Sequence, residues 1–293
     1  MSDQLNSPLA GFFDDAAVFP PGSAPLGKAV RQHLERRETP FAALTGPLLL
    51  PLGKIMEAQR LAVSTAAHLG IDLSEAPLEI GLIVPAGELV TALKLAEKDL
   101  AGVTFTGLEL KTSPDSWSQE LEELQQVDTS LARHAEFNST QVMEGALSAL
   151  QGSAVGLKVR TGGLEARMFP TTTELAAILS EAAQREIPFK LTAGLHRGLR
   201  HTNLETGFTH HGFLNIAAAT YAAAGGAEVD EVDRCLAITD PGQLIVLVRN
   251  MPVHTWRTWF RSFGTCSIAE PLESLDELGL ELEEFSGFGL TIK

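Results

Sequence analysis

The sequence predicts an α/β fold, a single-domain (β/α)8 TIM barrel, and three observations support this class. Strand-like segments alternate with helix-like segments, and the eight strand-like ones extend over roughly the 250 residues that such a barrel needs. No glycine-rich nucleotide-binding fingerprint follows the first strand, which disfavours an open doubly wound sheet. Polar residues recur at the ends of several different strands, as expected where the strands of a barrel surround one site.

The predicted elements begin after an irregular N-terminal segment rich in Pro and Gly and a short helical stretch over residues 28–37. The strand-like segments are LTGPLLLPL, LEIGLIVP, GVTFTGLELK, RHAEFN, AVGLKVR, PFKLTAGL, QLIVLVR and FGTCSI. Apolar residues recur at helical spacing between the earlier strands, in segments 55–69, 88–100, 116–124, 140–150 and 172–185. The alternation is least regular before the last strand, where the segment containing NMPVHTWRTW is interpreted as an insertion.

No linker and no internal repeat divides the chain, so we expect one domain. Residues 1–43 are predicted to form an N-terminal extension that packs on the barrel, and residues 44–280 to form the barrel. Residues 281–293 are predicted to form a tail, EEFSGFGLTIK at its end, that could dock on the barrel or join two copies in a homo-oligomer.

Composition and charge restrict the classes of partner. The 37 acidic and 22 basic residues give a formal charge of -15, which repels nucleic acid and anionic membranes at long range. The start of the sequence has no basic region followed by an apolar core of signal length, and no apolar run is long enough to span a bilayer. The two cysteines show neither metal-ligand nor disulfide-framework spacing. We expect a soluble cytoplasmic protein that binds neither nucleic acid nor membranes.

Strand parity assigns several polar side chains to the barrel interior. Alternate side chains of a barrel strand face the helices, and the others fill the barrel. In GLKVR, Leu157 and Val159 mark the helix-facing set and leave Lys158 and Arg160 to the interior. The same parity on the neighbouring strands selects Glu109, Lys111, Glu136, Asn138, Lys190 and Thr192.

Four of these inward residues are cations and two are carboxylates, an excess of about two positive charges. The excess predicts a pocket for a small anionic substrate. A buried ion-pair network, in which the two glutamates neutralise the cations, is the structural alternative.

The placement of two lysines close together predicts covalent chemistry with a carbonyl compound. A lysine beside another cation in a partly dry pocket has a lowered pKa, and its free amine can attack a carbonyl carbon. We expect Lys158 to form a Schiff base, with Lys190 lowering its pKa and Glu136 accepting and returning protons. Asn138 or Thr192 would bond a substrate hydroxyl. The same lysines could instead hold a phosphate or carboxylate without reacting.

Three short motifs in the second half of the chain resemble signatures of the deoxyribose-phosphate aldolase group of class I aldolases. The motifs are KVRTGG from Lys158, KLTAGLH from Lys190 and RSFGTCS from Arg261. The first resembles the K-x-S-T-G-F strand that carries the Schiff-base lysine, with Arg160 in the position of the serine. The third resembles the R-x-G-x-S phosphate loop with one inserted residue. The resemblance implies a barrel lyase that needs no cofactor.

The second motif resembles K-x-S-G-G-I-R, with Thr192 for the serine, Ala193 for a glycine and His196 for the arginine. The resemblance places His196 and Arg261 among the substrate-binding residues. Because close backbone approach to phosphate favours glycine, Ala193 disfavours a phosphate site. Arg160 could supply the missing charge, which favours a carboxylated substrate.

A divalent metal is the alternative to lysine chemistry. Neutral imidazoles of His196 and His211, with Glu136 or Asp14, could bind a metal and give a hydrolase or an isomerase. Their spacing matches no metal-binding motif. A third alternative is a barrel that binds a small anion without catalysis.

Two further residues have open roles. Asp15, in FFDDAAVFPPG, is either a helix cap or a pocket-wall carboxylate that pairs with Arg160 or Arg261. Cys266 has no histidine at a spacing that would indicate a thiolate nucleophile, so we expect a small buried core residue.

Overall fold

Eight parallel strands close into a barrel in the computed structural model, which describes residues 9–281. The barrel strands are β1 (Phe13–Asp15), β2 (Thr45–Pro51), β3 (Leu78–Val84), β4 (Val103–Lys111), β5 (Ala132–Glu136), β6 (Val155–Arg160), β7 (Phe189–Thr192) and β10 (Phe260–Thr265). Consecutive strands are neighbours from β1 to β7, and β10 lies between β7 and β1. The predicted (β/α)8 TIM barrel is therefore confirmed. Outside the barrel, β8 (His201–Thr202) and β9 (Thr209–His210) pair as an antiparallel hairpin.

Helices connect the barrel strands and follow the last of them. The α-helices of the described residues are α1 (Leu26–Glu35), α2 (Ile55–Leu69), α3 (Leu89–Ala96), α4 (Trp117–Gln125), α5 (Ser139–Met143), α6 (Ala146–Leu150), α7 (Thr172–Gln184), α8 (Phe213–Ala224), α9 (Val229–Ala237), α10 (Pro241–Asn250), α11 (Val253–Arg257) and α12 (Ala269–Glu277). Within residues 9–281, no helix has the length and apolar character that crossing a bilayer requires. The C-terminal tail predicted over 281–293 lies outside the described residues except for its first residue.

The first strand lies inside the segment that was expected to be an extension. Residues 13–15 pair in parallel with β10 on one side and β2 on the other, so the N-terminal segment contributes a strand to the barrel. Its sequence, FDD, has two adjacent carboxylates and is only three residues long. A period-2 apolar pattern cannot be recognised over so short a stretch, and the strand was missed for this reason.

The predicted strand QLIVLVR is wrong, because this segment belongs to α10. Asp240 caps the helix by accepting a hydrogen bond from the Gln243 backbone, and Pro241 occupies the first turn. The buried residues Leu244 and Val248 lie one helical turn apart. The count of eight strands was right because β1 replaces the misassigned one. The expected insertion before the last strand is formed by α9, α10 and α11, which lie between α8 and β10.

Aromatic packing holds β1 in the barrel. The Phe12 ring lies 4.9 Å from the Phe260 ring and 5.2 Å from the Phe263 ring, measured between centroids. Phe13 packs edge-on against Phe213 of α8 at 5.9 Å. Such buried edge-to-face pairs contribute on the order of 1 kcal/mol each beyond the area that they bury. This packing fixes the position of Asp14 and Asp15, which directly follow Phe13.

Candidate functional site

A cavity of about 450 Å³ opens at the carboxyl ends of the barrel strands. Its wall includes the last residue of six strands: Pro51, Val84, Lys111, Glu136, Arg160 and Thr192. This is the end of the barrel at which the active sites of characterised TIM-barrel enzymes lie. The cavity is therefore the candidate site.

The two sides of the cavity differ in chemistry. Apolar residues from β2, β3 and the segment after β1 line one side, among them Phe19, Pro21, Leu49 and Ile83. Charged and polar residues at the ends of β4 to β7 line the other side. This division suits a small molecule that carries an anionic group at one end and an apolar group at the other.

Five charged side chains form a buried cluster at the floor of the cavity: Asp14, Glu109, Glu136, Lys158 and Lys190. Lys158 Nζ lies 2.7 Å from Glu136 Oε2 and 2.9 Å from Glu109 Oε2. Lys190 Nζ lies 2.7 Å from Asp14 Oδ2 and also pairs with Glu109 Oε1. Glu109 therefore bridges the two lysines. Lys158 and Glu136 line the cavity directly.

Strand register produces this cluster. Lys158 is the register partner of Glu136 on one side and of Lys190 on the other, so the three side chains lie at one level of the barrel. Parity correctly placed Glu109, Glu136, Lys158 and Lys190 together. It did not include Asp14, whose strand was missed, and the predicted excess of two positive charges is reduced by this third carboxylate.

The pairing sets the protonation states of the lysines. Burial disfavours the ammonium form of Lys158, but the carboxylates of Glu109 and Glu136 outweigh it and raise the pKa of Lys158 above its ordinary value. For Lys190, burial opposes Asp14 and Glu109 in the same way, and its pKa is also raised. The expectation that Lys190 lowers the pKa of Lys158 is therefore wrong, because the Glu109 carboxylate lies between the two ammonium groups.

The three carboxylates of the cluster differ in the direction of their pKa shifts. Burial opposes ionisation of Glu109, yet Lys190 and Lys158 lower its pKa to about 2. Burial is likewise outweighed at Glu136, where Lys158 and Arg160 lower the pKa. At Asp14 burial dominates over the attraction of Lys190, and the pKa is raised. Asp14 Oδ2 also accepts a hydrogen bond of 2.7 Å from the Ser262 hydroxyl.

Two cations lie at the rim of the cavity, above the buried cluster. Arg160 Nε lies 3.5 Å from Glu136 Oε1, and the Arg160 side chain is 44% exposed. Lys111 is exposed at the end of β4. Both residues line the cavity, where their exposed side chains can contact an anion.

The loops after β6 and β7 pack tightly against each other beside the cavity. A Cβ atom built on Gly162 would lie 2.7 Å from Gly194 Cα, a distance that requires the backbone to shift. The Thr161 hydroxyl donates a 2.7 Å hydrogen bond to the Ala193 carbonyl, and Ala193 has a φ of 63°. Packing of the two loops thus accounts for Thr161 and Gly162, two of the motif residues, without any ligand.

Three residues expected at the site lie elsewhere. Asn138 caps α5 by accepting a hydrogen bond from the Gln141 backbone, and it is exposed. Asp15 faces α1, where its Oδ2 lies 2.7 Å from Arg36 Nη1 and 3.0 Å from His33 Nδ1, so Arg160 and Arg261 are not its partners.

Arg261 is exposed near the amino end of β10, the opposite end of that strand from the cavity. A register shift between Phe260 and Ser262 interrupts the pairing of β10 with β7 at this residue. Thr192 lies where it was expected, at the end of β7 in the cavity wall.

The metal-binding alternative does not assemble. His211 is buried, with Nε2 donating a 2.8 Å hydrogen bond to the Pro170 carbonyl and Nδ1 lying 3.2 Å from Arg200 Nη1. Burial lowers the pKa of His211 to about 4 despite the bond to Pro170. His196 lines the cavity but pairs with Glu270 rather than with His211 or Glu136. Across residues 9–281, no three His, Cys, Asp or Glu side chains lie close enough to hold a metal ion.

Sequence reasoning did not place Asp14 beside Lys190, and it missed the neighbourhood of Cys266. Cys266 Sγ lies 3.9 Å from His196 Nδ1, although the two residues are 70 positions apart. His196 follows β7 and Cys266 follows β10, and these two strands are neighbours in the barrel. The predicted strand QLIVLVR would have separated them, but that segment is a helix. The lack of a partner histidine for Cys266 was therefore a wrong expectation.

The fold is compatible with an enzyme, but many unrelated activities share this barrel, so the fold alone assigns none of them. The arrangement of charges at the carboxyl ends of the strands is the evidence that bears on function. Comparison with protein-family models, with curated proteins and with solved structures finds no significant match to this chain.

Proposed function

We propose that this protein is an enzyme that acts on a small carbonyl compound with an anionic group, bound in the cavity at the carboxyl ends of the strands. One observation carries the proposal. An ammonium group and an ionised carboxylate, those of Lys158 and Glu136, lie 2.7 Å apart where both line the cavity. A cation donor and a carboxylate base side by side are what proton transfer next to a carbonyl group requires.

The proposed chemistry is enolisation, the step shared by many isomerases and aldol-type lyases. The Lys158 ammonium donates a hydrogen bond to the carbonyl oxygen of the substrate and stabilises the negative charge that develops there. Glu136 takes the proton from the adjacent carbon and returns it to the product. The raised pKa of Lys158 and the lowered pKa of Glu136 keep both groups in the charged forms that this step needs.

The cavity walls supply binding and orientation. Arg160 has its guanidinium group at the rim and is suited to bond a carboxylate of the substrate through two N–H groups. The apolar side formed by residues such as Phe19 and Ile83 would hold the uncharged end of the molecule. A carboxylated substrate is preferred over a phosphorylated one because Ala193 occupies a position where close backbone approach would favour glycine.

Schiff-base chemistry at Lys158 is the second candidate, and the contact with Glu136 is the observation that favours it. Glu136 Oε2 would take a proton from Lys158 Nζ, whose neutral amine then attacks the carbonyl carbon, and water leaves as the imine forms. The raised pKa of Lys158 makes the neutral amine the minor form, which places this mechanism behind enolisation. Neither mechanism needs a metal ion.

Solvent deuterium exchange tests the proposal directly. The protein is incubated in D2O with a panel of 2-keto acids and phosphorylated aldehydes, and exchange at the carbon next to the carbonyl is followed by mass spectrometry. We expect exchange with at least one carboxylated compound, and a loss of about 100-fold or more in Glu136→Gln. Lys54→Arg, at an exposed surface position, is the matched control for substitutions of Lys158 and should exchange at the wild-type rate.

Borohydride trapping and Lys158→Arg separate the two mechanisms. The arginine keeps a cation but cannot form an imine. Enolisation therefore predicts that Lys158→Arg retains some exchange, and that borohydride traps no adduct on the wild-type protein. An adduct on Lys158, with complete loss of exchange in Lys158→Arg, would replace enolisation by the Schiff base. Saturable binding of these compounds without exchange, trapping or turnover would contradict both and leave an anion-binding barrel.

A further inference from the structure

The thiol of Cys266 opens into the candidate site but has no role in the proposed reaction. Cys266 directly follows β10, is half-buried and lines the same cavity as Lys158 and Arg160. On its other side it touches the segment after β1, because a Cβ atom built on Gly22 would lie 2.9 Å from Cys266 Cβ and 3.3 Å from its Sγ. A group added to this sulfur is therefore excluded from the side of Gly22, and the cavity that Cys266 lines offers it space.

A histidine and a glutamate accompany the thiol. His196 Nδ1 lies 3.9 Å from Cys266 Sγ and 2.7 Å from Glu270 Oε2. The His196 side chain is 15% exposed, so the contact with the sulfur is shielded from bulk water on most sides. Burial opposes the charge on His196, yet Cys266 and Glu270 raise its pKa to about 9. The imidazole is therefore a cation at neutral pH, placed where it attracts the negative charge that develops on the sulfur as Cys266 reacts.

Cys235 provides an internal comparison, because the chain has two cysteines. It lies on α9 and is also half-buried, so exposure does not distinguish the two thiols. The charge beside Cys235 is the carboxylate of Glu231, whereas the charge beside Cys266 is the imidazolium of His196. Burial raises the pKa of Cys235, and the carboxylate of Glu231 raises it further against the smaller influence of Arg234.

From the contact of Cys266 with His196 and its place in the cavity wall, we propose that Cys266 is a modification site for electrophilic carbon compounds. Modification at this sulfur places the added group in the cavity that Lys158 also lines. Cys235 reacts much more slowly. This inference rests on geometry at Cys266 and stands whether or not the proposed reaction is correct.

The modifying reaction is a substitution at carbon, as with iodoacetamide. The Cys266 sulfur forms a bond to the methylene carbon while the carbon–iodine bond breaks, and iodide leaves with the bonding electrons. The thiol proton passes to solvent, since His196 is already protonated. No oxidant or reductant is needed. His196 acts as a positioning residue that stabilises the negative sulfur, and Glu270 holds the imidazole in place.

The test is competitive alkylation of the native protein with a limiting amount of iodoacetamide near neutral pH. Intact mass gives the number of groups added, and peptide mapping gives the fraction on each cysteine. We expect Cys266 to react at least about tenfold faster than Cys235, because an imidazolium lies beside its sulfur while burial and Glu231 hold the pKa of Cys235 above its ordinary value. In denaturant the preference should vanish, because the imidazole is then no longer beside the sulfur.

Variants separate the effect of His196 from simple accessibility. Cys235→Ser should keep the fast rate, and Cys266→Ser should react only at the slow one. His196→Gln should slow alkylation of Cys266 by about tenfold without changing the rate at Cys235, and Glu270→Gln should slow it less. Circular dichroism of each variant checks that the barrel is folded.

Two results would overturn the proposal. One is equal or faster labelling of Cys235 in the native wild type. The other is an unchanged Cys266 rate in a folded His196→Gln. A third measurement tests whether the added group blocks the cavity. Cys235→Ser is alkylated at Cys266, and its non-covalent binding of a 2-keto acid is compared with that of the same variant before alkylation. We expect the alkylated protein to lose this binding. If no 2-keto acid binds the unmodified variant, the proposed function fails while the alkylation result still decides this inference.

Discussion

Asp14 Oδ2 lies 2.7 Å from Lys190 Nζ, and this contact joins the first strand of the barrel to the charged cluster at the floor of the cavity. Lys190 is thereby held between Asp14 and Glu109, and Lys158 between Glu109 and Glu136. The contacts therefore form one unbroken series, which begins at Asp14 on β1 and ends at Glu136 on β5. Removing any member leaves a buried charge with fewer partners, which is costly inside a protein.

We expect Asp14→Asn to lower the free energy of unfolding by about 1 to 3 kcal/mol, because Lys190 loses one of its two carboxylate partners. Urea denaturation at neutral pH measures the change. Asp99→Asn, at an exposed position in the loop before β4, is the control and should leave the stability unchanged. A folded Asp14→Asn with wild-type stability would show that the pair contributes nothing net.

We predict that protonation of the Glu109 carboxylate in acid lowers the free energy of unfolding. Its pKa is about 2 in the folded protein against an ordinary value of 4.5, so it stabilises the fold fully above about pH 4.5. This contribution is lost as the pH falls from 4.5 towards 2. Urea denaturation over this range should show the difference between wild type and Glu109→Gln shrinking as the pH falls. A difference that is constant with pH would contradict the assignment.

The histidines should titrate far apart. His196 is expected near pH 9, because Cys266 and Glu270 favour its charged form more than burial disfavours it. His211 is expected near pH 4 and His134, which lies on β5, near pH 3, since burial favours the neutral forms of both imidazoles. NMR of the ring carbons, assigned with single His→Gln variants, measures the three values. Titration of His196 near 6.5 would mean that its contact with Glu270 is not kept in solution.

The sign of the His196 effect on stability follows from its raised pKa. The contribution is complete below the unfolded value of 6.5 and is lost as the pH rises through about 9. Stability of the wild type relative to His196→Gln should therefore decrease between these two pH values.

Gly162→Ala should destabilise the barrel at the loops beside the cavity. The added methyl group would lie 2.7 Å from Gly194 Cα, and relieving such a contact with backbone costs roughly 1 to 3 kcal/mol. Thermal unfolding measures the loss. Gly53→Ala is the matched control, because a Cβ atom there meets no atom within 4 Å. Equal effects of the two substitutions would contradict the tight packing of the loops.

The sequence was most informative where strands have regular alternation. On β4 to β7, buried leucine, valine and phenylalanine residues define the helix-facing side, and the remaining side chains include four members of the cluster. Parity fails at the strand ends, where the backbone leaves the sheet. Asn138 is two residues beyond Glu136 but already caps a helix. Arg261, which the resemblance and not parity placed at the site, lies near the amino end of β10, away from the cavity.

Other features depend on contacts between distant parts of the chain. β1 is recognisable only from the aromatic packing of Phe12 and Phe13 against β10 and α8. The sign of the pKa shift at Lys158 depends on Glu109, which intervenes between two lysines that parity places next to each other. Charge counting along the sequence identified the groups but could not give their order in space.

The two adjacent carboxylates of β1 have a consequence for the assembly of the barrel. Asp14 reaches Lys190 inside, and Asp15 reaches Arg36 and His33 on the helix side. If β1 slipped by one residue along its neighbours, every side chain would change faces, and each carboxylate would leave its partner for the wrong environment. The pair therefore fixes the register in which the barrel closes, so that correct closure of the fold and completion of the charged cluster are the same event.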